Sequence, residues 1–115
     1  MGHALADVRV EQGVVALVVL TRELVGRLDA EDVDPSEIMT ALLAMDGITV
    51  ALMFRELDGG CVKVSLRSKG VLDVHGLASE YGGGGHRNAS GIVMQGSVDD
   101  VVRTVTSRAT ALLAG

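Results

Sequence analysis

The chain predicts an α/β fold, a mixed sheet of about five strands packed with helices, and three observations carry that prediction. A Val-rich run at 14–20 and a largely apolar run at 48–57 have strand length, and β-branched residues fit a pleated, half-buried surface. Residues 61–68 alternate apolar and polar side chains, the period of a strand with one buried face. Capping residues followed by helical apolar spacing mark helix starts at Asp34, Asp73 and Ser97. With 115 residues and 48% hydrophobic content, the chain is long enough for one packed core. Residues 1–115 therefore read as one domain, with no internal repeat, low-complexity tract or long linker.

Asp7 to Val10 and Val14 to Leu20 flank a short Glu-Gln-Gly turn and predict an opening β-hairpin, its second strand buried on both faces. Thr21 caps a short helix through Leu28 with Glu23 in its first turn, and an acidic loop from Asp29 to Asp34 follows. Asp34-Pro35-Ser36-Glu37 joins a capping Asp, a proline at the first helical position and an early carboxylate. That helix is expected to run to about Met45, with Ile38, Leu42 and Met45 on one side and Gly47 ending it.

Ile48 to Leu57 reads as a strand, Asp58-Gly59-Gly60 as a hairpin turn and Cys61 to Ser68 as the returning strand. Val62, Val64 and Leu66 point to the core, so Lys63, Ser65 and Arg67 share the opposite face. Asp73 caps a helix to about Tyr81, a glycine loop follows, and Gly91 to Gln95 forms a short strand. Ser97 caps a last helix whose Val98, Val101, Val102, Val105, Ala109 and Leu112 keep helical spacing, with Asp99 and Asp100 in its first turn.

The net charge of −5 argues against a general nucleic-acid coating protein. The charge is uneven: from Gly59 to Gly96 the balance is +2, leaving −7 for the rest. A small basic island on an acidic body suits a compact anion. Tyr81 and Phe54 are the only aromatics, so base-stacking platforms are scarce and nucleic-acid contacts should go mainly to phosphate and sugar. The lone Cys61 excludes an internal disulfide framework and a cysteine-based zinc site, and it fits a reducing cytosol. Val14 to Leu20 is too short for a membrane span and lacks the basic start and cleavage site of a signal peptide, so a cytoplasmic protein with no membrane partner is expected.

Chemistry concentrates in Tyr81-Gly82-Gly83-Gly84-Gly85-His86-Arg87-Asn88-Ala89-Ser90-Gly91. Four consecutive glycines have no evident packing use. They let backbone N–H groups of Gly83, Gly84 and Gly85 turn toward one anion, with His86 and Arg87 supplying donors and charge at the end. One predicted helix separates this loop from the polar strand face, so the path can return His86 beside Arg67. Arg67 offers a planar fork for two phosphate oxygens, and Ser65 and Ser68 offer hydroxyls. Plainer readings are a solvated sheet face at Lys63, Ser65 and Arg67 and a flexible surface loop at the glycines. Nucleotide-triphosphate and dinucleotide loops do not fit, because the Gly-Lys-Ser/Thr ending is absent and the loop follows a helix. No second His or Cys stands at ligand spacing from His86, and Ser90 has no evident base, so neither a metal site nor a catalytic residue is assigned.

Lys63-Val64-Ser65-Leu66-Arg67-Ser68-Lys69-Gly70, Asp73-Val74, Leu77-Ala78, Tyr81 to His86 and Asn88-Ala89-Ser90-Gly91 closely resemble the DHH-associated (DHHA) domain, the C-terminal half of DHH-family phosphoesterases. The Ser-x-Arg-Ser strand with the Gly-Gly-Gly-Gly-His loop is most similar to the bifunctional oligoribonuclease and 3′-phosphoadenosine 5′-phosphate phosphatase branch. That branch includes enzymes cleaving cyclic dinucleotides and their linear products. The resemblance spans nearly the whole chain.

It implies a substrate-recognition domain lying across a cleft from a DHH domain, whose Asp and His residues bind two manganese ions and activate water. Arg67 and Ser68 would then grip a phosphate or ribose, and Gly83 to Gly85 with His86 would hold the phosphate or base end away from the scissile bond. This chain lacks the Asp-His-His triplet. It is expected to bind without cleaving and to need no cofactor of its own, while the full-length protein is implied to be a metal-dependent phosphodiesterase, oligoribonuclease and phosphatase. The implied partners are short RNA or nucleotide phosphates and the DHH domain, with a homodimer left open. Alternatives are the single-stranded nucleic-acid module of a RecJ-like exonuclease, the divergent tRNA-engaging domain of alanyl-tRNA synthetase, and an assembly domain without ligand.

Overall fold

A computed structural model describes residues 8–23, 34–70 and 72–114. Its sheet is mixed, as expected, but it has six strands rather than five. In chain order these are β1 (Arg9–Glu11), β2 (Val15–Leu20), β3 (Val50–Leu57), β4 (Cys61–Ser68), β5 (Gly84–His86) and β6 (Ala89–Gln95). The described helices are α1 (Pro35–Leu43), α2 (Val74–Glu80) and α3 (Val98–Ala114). Across the sheet the order is β1-β2-β3-β4-β6-β5, with β2 and β3 parallel and every other pair antiparallel. The extra strand is β5, drawn from the glycine run expected to be a loop.

The opening hairpin forms, with Val14 N–H donating to the Glu11 carbonyl across the turn, and β2 is buried along almost its whole length. Asp7 lies outside the described residues. Of the helix predicted from Thr21 to Leu28, Arg22 and Glu23 are helical and the remainder lies outside the described residues, as does the acidic loop up to Asp34.

Two helical layers cover the sheet unequally. On one face, α2 and α3 bury Val74, Leu77, Ala78, Val101, Val102, Val105 and Ala109 against the core-facing residues of all the central strands. On the other, α1 sets Ile38, Met39 and Leu42 against Ala16, Val18, Leu20, Ala51 and Met53. That second layer packs mainly on β2 and β3 and only borders β4, so the same face of β6 and β5 carries no helix among the described residues and that of β4 is left largely open.

The caps predicted at Asp34, Asp73 and Ser97 form. The Asp34 carboxylate accepts from Ser36 N–H at 3.0 Å, and Asp73 accepts from His75 and Gly76 N–H at 2.8 and 3.2 Å. Ser97 Oγ accepts from Asp100 N–H at 3.2 Å. Helix α1 stops at Leu43, however, with Ala44 closing it through bonds to the Thr40 and Ala41 carbonyls. Met45 therefore lies beyond the helix and is exposed, and Met39 takes the core position expected of it. The strand predicted from Ile48 begins at Val50, although Ile48 itself is buried. Leu112, expected on the core stripe of α3, is exposed and borders an open apolar groove with Leu72 and Leu77.

Candidate phosphate-binding face

Directly paired residues of an antiparallel ladder project to the same side of a sheet, so register assigns the uncovered face. One row runs Ala51, Arg67, Ala89, His86; the next runs Met53, Ser65, Gly91, Gly84; a third runs Arg55, Lys63, Val93. The three polar residues of β4 thus emerge beside a floor of Ala89, Gly91 and Gly84 that carries no side chain larger than a methyl group. A cavity of about 320 Å³ occupies this corner. Lys63, Ser65, Leu66 and Arg67 of β4 form its centre, Gly84 and Gly85 of β5 with Ala89, Ser90 and Gly91 of β6 form its floor, and Pro35, Ser36 and Met39 of α1 form its far wall.

Contrary to expectation, the glycine run has packing uses. Gly82 follows the end of α2 with φ +78°, and its N–H bonds the Ser79 carbonyl while Gly83 N–H bonds the Ala78 carbonyl. These two bonds close α2 in a Schellman motif. Gly83 N–H is therefore committed to the helix and is not the anion donor expected of it. A Cβ on Gly83 would collide with the Gly91 carbonyl oxygen, and one on Gly85, at φ +141°, would meet Ala89 O and Ser90 Cα at 2.6 Å. Both glycines let β5 lie close against β6. Gly84 differs: a Cβ there would meet nothing within 4 Å and would enter the cavity.

The predicted site residues separate into groups. Lys63, Ser65, Arg67, Gly84 and Gly85 share the cavity. Among the described residues no carboxylate forms an ion pair with Lys63 or Arg67, so both cations remain available to an anion. His86 stands on the same face and in the same row as Arg67, but across β6, two strand spacings or about 10 Å away. It is exposed at the rim and does not line the cavity.

Arg87 is exposed in the two-residue turn after β5, and its carbonyl accepts from Val74 N–H at 2.7 Å. Ser68 lies on the opposite face, buried beside the core. Its hydroxyl donates to the Leu72 carbonyl at 2.7 Å and accepts from Asn88 Nδ2 at 2.9 Å. Asn88 Nδ2 also reaches the carbonyls of Gly70 and Leu72, so Ser68 and Asn88 tie the loop after β4 to the β5–β6 turn.

Ser36 and Met39 also line the cavity, and nothing in their local sequence pattern marks them, because only the packing of α1 on β3 brings them to β4. Ala89 and Gly91 were legible in principle. Three residues on either side of Arg87-Asn88 have the spacing of a tight hairpin, and such a hairpin sets Gly84 opposite Gly91.

Known proteins match most of this chain. Residues 11–111 match the DHHA1 domain. The bifunctional oligoribonuclease and PAP phosphatase NrnA of Mycoplasma genitalium is 32% identical over 93 residues, 79% of this chain and 29% of that protein. The NrnA of Thermus thermophilus is 31% identical over 96 residues, 84% of this chain and 28% of that protein. The chain thus spans under a third of the length of the curated relatives it matches.

Among solved structures, an exopolyphosphatase-related protein from Bacteroides fragilis superposes with a TM-score of 0.80 at 29% identity, covering 99% of this chain and 35% of that one. A pGpG-specific phosphodiesterase, PggH, from Vibrio cholerae shares the fold with a TM-score of 0.67 at 18% identity, covering 93% of this chain and 35% of that one. With the glycine strand seated against β6, the polar stripe of β4 beside it and a family match running from β1 into α3, the chain belongs to the DHHA1 domain family of DHH phosphoesterases.

Proposed function

We propose that the uncovered half of the sheet binds the phosphate-bearing end of a short oligoribonucleotide or a nucleotide phosphate and presents it to a separate DHH domain for hydrolysis. The observation that supports this most is the emergence of Lys63, Ser65 and Arg67 from one strand onto a largely open face, beside a floor stripped of side chains at Gly84 and Gly91. Arg67 places two parallel N–H donors toward a phosphate, a geometry lysine lacks, and Lys63 adds a second positive charge. Ser65 supplies a hydroxyl between them. The floor admits a ribose or base against the backbone, with Gly84 and Gly85 beneath it and His86 and Arg87 at the outer rim.

A stacking-based single-strand module suits this face less well. Phe54 is wholly buried, and Tyr81 packs against the core on the opposite side. Among the described residues no three His, Cys, Asp or Glu side chains converge. We assign water activation to the separate domain, because this sequence lacks the Asp-His-His triplet. The cytoplasmic placement belongs to the same proposal and rests on the lone Cys61; no described helix is long and apolar enough to cross a membrane.

Calorimetric titration with 3′-phosphoadenosine 5′-phosphate and with 5′-phosphorylated diadenylate, at low and moderate salt and without metal, tests this reading. Salt-sensitive binding is expected, weakened in Arg67→Ala by about 1.5–3 kcal/mol, the size of a lost charge-assisted hydrogen bond. Unchanged affinity in a folded Arg67→Ala variant, or no binding by the wild-type chain, contradicts it.

A further inference from the structure

Arg55 of β3 and Lys63 of β4 are direct cross-strand partners, and both are exposed. Such partners hold their Cβ atoms about 5 Å apart, and like charges in that position destabilise a sheet. Nothing on the same row compensates. Leu20 stands beside Arg55 on β2, and Val93 stands beside Lys63 on β6. Among the described residues neither cation forms an ion pair. Val93 is itself 61% exposed, so an apolar surface adjoins the two charges on the open face. Lys63 lines the cavity and Arg55 lies just outside it. Along β4, Lys63 stands four residues from Arg67, about 13 Å, with Ser65 halfway between.

We infer that Arg55 and Lys63 form a second anion subsite, which takes a further phosphate of the same oligonucleotide whose first phosphate lies at Arg67. The inference rests on the proposed phosphate-binding role of Arg67. A phosphate between the two cations removes their mutual repulsion and gains charge-assisted hydrogen bonds from each. Val93 then covers the adjoining sugar or base. The ligand this face fits is accordingly a chain with several phosphates, its backbone running along β4 past Ser65.

Adenosine 5′-monophosphate and 5′-phosphorylated di- and triadenylate, titrated against wild type, Arg55→Gln and Arg67→Ala at several salt concentrations, test it. In Arg55→Gln the monophosphate should bind as in wild type. The longer ligands should lose up to about five-fold, the range of an exposed charge contact. The slope of log affinity against log salt should fall by about 0.7 for the longer ligands, the effect of one phosphate contact on a single strand. Thermal unfolding of Arg55→Gln at low salt should occur at an unchanged or higher temperature, because a repulsion has been removed. Unaltered binding of the longer ligands by Arg55→Gln, with Arg67→Ala still weakening every ligand, overturns the second subsite and leaves the first. An Arg67→Ala variant that binds all ligands normally overturns the pocket itself. A lower unfolding temperature in Arg55→Gln, with equal loss for every ligand, marks Arg55 as structural and also overturns the inference.

Discussion

Arg67 and His86 are both cross-strand partners of Ala89, which places the two side chains in one row on one face of the sheet with a strand between them. The glycine run makes this possible. By lying flat on β6 as a strand, it carries His86 to the outer rim instead of folding it over Arg67. The cavity consequently has a cationic centre on β4, a bare floor on β6 and β5, and a helix wall on α1.

Adjacent glycines should respond in opposite ways to a side chain. Gly83→Ala forces a Cβ into the Gly91 carbonyl and should destabilise the fold by about 2 kcal/mol or more, the order of a core overpacking penalty. Gly84→Val meets open space at an ordinary backbone conformation, so the unfolding temperature should stay close to wild type while the added side chain occupies the cavity and abolishes nucleotide binding. Thermal unfolding and titration of the two variants check the pair.

The two serines of β4 should separate as well. Ser65→Ala should weaken nucleotide binding and leave stability nearly unchanged, since its hydroxyl faces the cavity. Ser68→Ala removes the acceptor for Asn88 Nδ2 and the donor to Leu72, and should cost about 1 kcal/mol of stability with little change in affinity. Denaturant unfolding of Ser68→Ala, Asn88→Ala and the double variant should show coupling between the two positions, as groups in direct contact do.

Helices α2 and α3 are joined by Glu80 and Arg108 through two bonds, Nε to Oε1 at 2.8 Å and Nη2 to Oε2 at 3.0 Å. The hydrogen bond from Arg108, reinforced by its charge, holds the Glu80 carboxyl below its ordinary value of 4.5. A carboxylate with a depressed folded value stabilises the fold above its unfolded value and loses that contribution as pH falls through the folded one. Wild type should therefore unfold at a higher temperature than Glu80→Gln near neutral pH, and the gap should close in acid below 4.5. Both side chains are substantially exposed, so added salt should narrow the gap too. Unfolding curves across pH for the two proteins measure it.

Much of this architecture is legible in local chemistry. Alternation along 61–68 puts Lys63, Ser65 and Arg67 on one face, and the caps at Asp34, Asp73 and Ser97 need only a short polar side chain before a helical stripe. The same alternation places Ser68 with Val64 and Leu66, so its parity already pointed away from the other polar residues. Reading Ser-Leu-Arg-Ser as one motif hid that signal. The strand at Gly84–His86 was not legible from propensity, because glycine has little intrinsic preference for strands. What fixes it is the close approach to β6, a tertiary contact only residues without a Cβ permit. Met45 was misplaced for a related reason, since helical spacing says nothing about where a helix stops.

The location of the ligand on the sheet can be read residue by residue from backbone amide shifts in a heteronuclear NMR titration with 5′-phosphorylated diadenylate. Shifts clustered at Ser36, Ser65, Arg67, Gly84, Gly85 and Gly91, saturating together and absent in Gly84→Val, are the expected result. Shifts confined to other surfaces, such as the groove of Arg9, Asp99 and Arg103 between β1 and α3, or no shifts at saturating ligand, would contradict the assignment of the open half-sheet as the phosphate-binding face.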